Sequence, residues 1–214
     1  MDDYAATRTS LHGIAEGVLA GAQLEQSGTI RLRVLQGGFG TVAEPVLRVA
    51  GDSLVRADGA RVPLRGTFAQ VAQAAGVGFT VPTLYSDHAP VAADDPVRVD
   101  AASAARIAVW FERGRQALVA VEPAQQPVLW PEHFDLAVTV DEVNLGVSPG
   151  DGFSAEPYAY VGPWGFDDSS EPYAGSPFWN APFGATLPMP AAPQPAALVR
   201  FFSAGLTRVR QARR

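Results

Sequence analysis

The sequence predicts an α+β fold: a mostly antiparallel sheet with helices packed against it, and a long aromatic, Pro/Gly-rich loop before a C-terminal helix. Three observations predict it. The hydrophobic periodicities run helix, several strands, two helices, strands, helix, which is not the steady alternation of a parallel sheet. The strand-like runs are short and are joined by turn dipeptides such as Asp58-Gly59. No linker-like composition and no fixed-period repeat divides residues 1–214, so a single domain is expected.

Taken in order, Asp3 is the expected N-cap of a first helix whose apolar stripe is Tyr4, Leu11, Ile14, Ala15, Val18 and Ala22, closing at Gly21 or Gly28. Arg8, His12 and Glu16 form an i, i+4 row along its edge. Ile30, Leu32 and Val34 alternate with Arg31 and Arg33 as a half-buried strand. Gln36 to Gly40 turns the chain, and Thr41 to Val49 reads as a second strand interrupted by Pro45. Leu54-Val55 and Val62-Pro63-Leu64 flank Asp58-Gly59, completing a meander. Thr67 caps a short helix that Gly76 ends, and residues 77–96 are irregular. Asp100 caps a helix with a stripe of Ile107, Trp110, Phe111, Leu118 and Val121, weakened in the middle by Gly114. Phe134, Leu136, Val138 and Val140 alternate in a strand, and Tyr158 to Val161 form a short one. Residues 144–195 are otherwise rich in Gly, Pro and aromatics. The last helix buries Leu198, Phe201, Phe202, Leu206 and Val209.

Composition excludes whole classes of chemistry. The chain has no cysteine, so disulfides, thiolate metal sites, iron–sulfur clusters and cysteine nucleophiles are ruled out. All 16 basic residues are arginine, which removes Schiff-base and pyridoxal-phosphate chemistry and the P-loop lysine. The net charge of −6 argues against nucleic acid as a partner. The one basic cluster, Arg208, Arg210, Arg213 and Arg214, reads as a solvated helix end. The N-terminus lacks the pattern of a signal peptide and no apolar run is long enough to span a bilayer, so a soluble, cytoplasmic protein without membrane contact is expected.

Two motifs are set aside on context. Gly146-Val147-Ser148-Pro149-Gly150 fits G-x-S-x-G, but no helix can easily open at Pro149-Gly150 and no His follows the Ser. Gly37 to Gly40 lacks the helix N-terminus a nucleotide-phosphate loop needs. Glu132-His133-Phe134-Asp135 is the most suggestive cluster. On a strand, His133 and Asp135 share a face, where a carboxylate can orient a catalytic imidazole. The same pair is the weak alternative for a divalent metal, which would need His12, His88 or another carboxylate from elsewhere. Asp141 lies about 20 Å along the strand from Asp135 at roughly 3.3 Å per residue, too far for an acid–base pair. The aromatics Trp130, Tyr158, Tyr160, Trp164, Tyr173, Phe178, Trp179 and Phe183 suit either a small-molecule pocket or a self-packed loop, with Asn180 as a polar anchor.

The segments Trp130 to Ala137, Glu156 to Trp164 and Phe178 to Gly184, with Ser10-Leu11-His12, resemble a group of uncharacterised actinobacterial proteins. More distantly, the layout is similar to a larger bacterial family of unknown function. The resemblance implies no activity. It places His12 and Asp135 beside the matching motifs, which adds to both as candidates.

Two functional readings stay open. In one, the protein is an enzyme or small-molecule binder with a pocket between the 134–143 strand and the 144–185 aromatic loop. There His133, Asp135 and His12 would be the catalytic candidates, and Glu142, Asn144, Tyr158, Tyr160, Trp164, Trp179 and Asn180 the ligand contacts. In the other, the long loop is a surface for partner binding or homo-oligomerisation.

Overall fold

The computed structural model describes residues 3–170 and 173–213. The chain forms two compact units, one of Met1–Glu112 with Val128–Asp135 and one of Arg113–Pro127 with Leu136–Arg214. Each is built from two stretches of chain, and the chain first passes between them inside a helix. That is why no linker composition marks the change. Arg214, the last member of the predicted basic cluster, lies outside the described residues. Every recorded strand pairing is antiparallel, so the α+β class holds. Among the described residues no helix is long and apolar enough to cross a membrane.

The first unit opens with one continuous helical run: α1 (Asp3–Gly13), a π-helical segment (Ile14–Ala20) and α2 (Gly21–Ser27). In the π segment the Gly21 N–H reaches back five residues to the Glu16 carbonyl. Gly28, left-handed at φ 70°, closes the run. Gly13, Gly17 and Gly21 recur every four residues along it. A Cβ at Gly13 would lie 2.7 Å from carbons of Phe68 and Val91. One at Gly17 would overlap the Phe79 ring, and one at Gly21 the Thr80 carbonyl. This stripe lets the irregular 77–91 segment lie directly on the helix, where Thr80 N–H donates to the Gly17 carbonyl at 2.8 Å.

A meander follows: β1 (Leu32–Leu35), β2 (Gly38–Thr41), β3 (Leu47–Ala50), β4 (Ser53–Arg56) and β5 (Arg61–Pro63). Val34, Phe39, Val49 and Leu54 stand in register on its buried face. The expected Thr41–Val49 strand is two strands, β2 and β3, joined by residues 42–46. The Gly37–Gly40 turn is tighter than expected. It is confined to Gln36-Gly37, and Gly38 already belongs to β2, backed so closely by the Val49 carbonyl that a Cβ would overlap it.

A separate ribbon pairs β6 (Arg65–Thr67) with a later strand, and α3 (Phe68–Ala75) starts at Thr67 with a full capping box to Gln70. That partner is β7 (Pro96–Arg98). Asp100 then caps α4 (Ala101–Val121), its carboxylate accepting from Ser103 N–H at 2.7 Å. The unit closes with β8 (Val128–Trp130), which pairs with β1 through Leu32 and Leu129.

The second unit is a sequential antiparallel sheet of β9 (Asp135–Val140), β10 (Val143–Ser148), β11 (Tyr158–Pro163) and β12 (Ala185–Pro188), with α5 (Pro195–Ala212) packed on β11. The β9–β10 turn holds Asp141 and Glu142 both left-handed, at φ 50° and 59°. A two-residue hairpin of this kind favours Asn-Gly. Here α5 supports the acidic pair instead. Arg210 donates twice to Asp141 Oδ2, at 3.0 and 2.7 Å, and Arg213 donates to the Asp141 carbonyl at 2.6 Å. The basic helix end is therefore a brace for a strained turn. Gly114, expected only to weaken α4, is a close-approach point where a Cβ would overlap a Val147 methyl. Gly205 does the same for α5 against Val161, at 2.7 Å.

Candidate acid–base site

A buried polar arrangement in the first unit centres on Glu16. Among residues 13–24 it is the one charged residue, and its place in the π segment buries it to 1% exposure. Its carboxylate is held from the 77–96 strap. Ala89 N–H donates to Oε2 at 2.8 Å, and Oε1 lies 2.8 Å from Nδ1 of His88. A carboxylate this buried needs such partners, because an isolated one would be far too costly. The His88 side chain keeps 35% exposure, and no described group bonds to its Nε2. The geometry is that of a buried carboxylate fixing one nitrogen of an imidazole and leaving the other available to a reacting molecule.

Tyr85 stands beside this pair, its ring centroid 5.1 Å from that of His88. Its hydroxyl is buried, lies close to the Glu16 carboxylate and makes no hydrogen bond of ordinary geometry. Burial first, then the negative charges of Glu16 and Glu132, hold the phenol above its usual value, so it keeps its proton. Glu132 Oε2 is a second buried polar atom without a partner. A buried acceptor without a partner, beside a phenol in close contact with the Glu16 carboxylate, is uncommon in native interiors and asks for an explanation.

Glu132 sits on the turn between β8 and β9, and His12 secures that turn. Nε2 of His12 donates to the Pro131 carbonyl at 2.8 Å. Its ring stacks on Phe134 at 5.5 Å and 9°. Phe134 is left-handed at φ 50°, a conformation a bulky residue adopts only when its surroundings impose it. Edge contacts to Phe39 at 5.4 Å and Phe111 at 5.3 Å supply that constraint. Burial lowers the His12 pKa, opposed by Glu16 and by backbone groups of Pro131 and Glu132. His12 is thus a neutral clamp one helical turn before Glu16.

The predicted site residues are distributed differently from the expected strand face. His133 lies exposed in the turn, whereas Asp135 is buried at the head of β9. The strand begins only at Asp135, after the left-handed Phe134, so the alternation that would place His133 and Asp135 on one face does not reach His133. Among the described residues no group of three or more His, Asp or Glu side chains is placed to hold a metal ion.

The other candidates belong to the second unit. Asn144 Oδ1 accepts from Thr139 Oγ1 at 2.8 Å and from the indole of Trp164 at 3.1 Å, with Trp164 59% exposed. Glu142 lies 3.5 Å from Arg213. Asn180 brackets Thr186, donating to its carbonyl and accepting from its N–H and hydroxyl. Tyr158 donates to Asp151 at 2.6 Å, and Tyr160 fills the space that a side chain at Gly146 would occupy. Trp179 packs against Phe166, Tyr173 and Phe178. Ser148, the last residue of β10, is buried, and its hydroxyl donates to Asp151 at 3.2 Å.

In the sequence, Glu16 stands in the Arg8–His12–Glu16 row and His88 in the irregular 77–96 stretch, with nothing to join them. The available signal was a lone carboxylate in an apolar, glycine-spaced helix four residues after His12. Compared with protein-family models, curated proteins and solved structures, the chain matches none.

Proposed function

We propose that the protein is an enzyme that transfers a proton on a small molecule, with His88 as the exchanging base or acid. Glu16 fixes the imidazole, favours the proton on Nδ1 and stabilises the charged form that arises during transfer. Tyr85 keeps its hydroxyl protonated and serves as a neutral hydrogen-bond donor. His12 and Phe134 hold the Glu132 turn in place. The observation that carries this reading is the pairing of a 1%-exposed carboxylate with an imidazole whose opposite nitrogen remains unbonded. A carboxylate serving only to anchor the strap is already met by Ala89 N–H and has no need of a half-exposed imidazole.

The test is conversion of a metabolite mixture by purified protein, followed by mass spectrometry, with His88→Asn compared under the same conditions. Loss of a positioned acid–base group costs about 10²–10⁴-fold in rate. The proposal expects a converted compound whose turnover falls by that amount while the far-UV spectrum is unchanged. Equal conversion by His88→Asn, or conversion of nothing together with no ligand-induced thermal shift, would overturn it.

A further inference from the structure

The outward face of the first-unit sheet carries a charge pattern opposite to that of the whole chain. Strand register places Arg33 beside Gly40, Gly40 beside Arg48, Arg48 beside Val55, and Val55 beside Arg61. Partners in register point to the same side of a sheet. Arg33, Arg48 and Arg61 therefore form one row on every second strand, and all three are exposed. At about 4.8 Å between strands, the row spans about 19 Å. The next row, Leu35, Gly38, Ala50, Ser53 and Pro63, is neutral and mostly small. Among the described residues no carboxylate pairs with Arg33, Arg48 or Arg61, and Arg61 only reaches the Ala50 carbonyl at 3.5 Å.

A cation–π pair adjoins the row. Arg31, two residues before Arg33 and exposed, holds its guanidinium 5.7 Å from the ring centre of Trp130 on the neighbouring strand β8. Planar guanidinium and indole groups are surfaces on which unpaired bases stack.

We infer that this arginine row and the Arg31–Trp130 stack bind an extended single-stranded nucleic acid. Three guanidiniums without a carboxylate partner meet successive phosphates, and the Arg31–Trp130 pair receives a base. The negative charge of the whole chain is screened beyond about 10 Å at ordinary salt, and the strand positions of this face carry no carboxylate; Glu44, Asp52 and Asp58 lie in the turns at its ends. Acidic polypeptides match the charge but have no use for the stack, and a duplex hides its base faces.

The test is fluorescence anisotropy of a short labelled oligo-dT strand against the full chain, with the matching duplex and poly-glutamate as competitors. The inference expects binding whose log Kd against log salt has a slope of about 2 in magnitude, from roughly 0.7 per phosphate neutralised over three arginines. Arg48→Ala should lower that slope by about 0.7. Trp130→Ala should weaken binding at least about fivefold with the slope unchanged, as loss of one stacked base does. Arg33→Glu/Arg48→Glu/Arg61→Glu should abolish binding. No binding at low salt, equal binding by the Arg48→Ala protein, or competition by duplex or poly-glutamate as strong as by single strand would overturn the assignment. None of these outcomes bears on His88, which lies elsewhere in the unit.

Discussion

Nδ1 of His88 lies 2.8 Å from Oε1 of Glu16, and the other oxygen of that carboxylate accepts the N–H of the next residue, Ala89. One buried side chain on a helix thus holds two consecutive residues of a strap that has no regular structure of its own. Removing the carboxylate leaves the Ala89 donor buried and unpaired. Glu16→Ala is expected to cost about 1–3 kcal/mol, the penalty of an orphaned buried group. Urea denaturation measures it, and a midpoint equal to that of the native protein would mean that the strap is held by other contacts.

Gly17 sits under the ring of Phe79, so even one added methyl forces the strap away from the helix. Gly17→Ala should destabilise by about 1–3 kcal/mol through overpacking, despite the better helix propensity of alanine. Limited proteolysis should cut residues 77–91 faster in this variant. A more stable Gly17→Ala protein would show that the close approach is dispensable.

The pH response follows from His12. Its pKa is lowered below 6.5 in the folded state, chiefly by burial. The stability this confers is complete above the unfolded value of about 6.5 and is lost as pH falls through the folded value. Denaturation midpoints should therefore drop as pH falls below about 6.5, and His12→Asn should flatten that drop. Asp100 and Asp167 are shifted the opposite way in charge, lowered from 3.8 by hydrogen bonds from Ser103 and Ser169. Their contribution disappears only in stronger acid, so the two effects separate along the pH axis. An unchanged slope in His12→Asn would place the sensitivity elsewhere.

Local signals made most elements legible in the sequence. Thr67 with Gln70, Asp100 and Gly28 each mark a helix end by a side-chain or backbone requirement that needs no tertiary context. The alternation of Leu32 and Val34 with Arg33 likewise fixed a strand face. The misses arose where tertiary contacts overrule periodicity. Phe134 continues the alternation of Leu136 and Val138, yet packing on His12, Phe39 and Phe111 turns it left-handed and starts the strand one residue later. The Glu16–His88 pair joins residues 72 apart in the chain, and nothing in local spacing encodes such a meeting. The glycines at 13, 17 and 21 did carry a readable signal, because a four-residue glycine spacing on a helix implies a close neighbour.

If Glu16 sets the proton position on His88, side-chain ¹⁵N NMR of the neutral imidazole reads it out. With the carboxylate as acceptor, His88 should carry its proton on Nδ1, leaving Nε2 unprotonated, and Glu16→Leu should return the ring to the Nε2–H form usual for exposed histidine. A native protein already in the Nε2–H form, or a tautomer unaffected by Glu16→Leu, would mean that Glu16 does not set it.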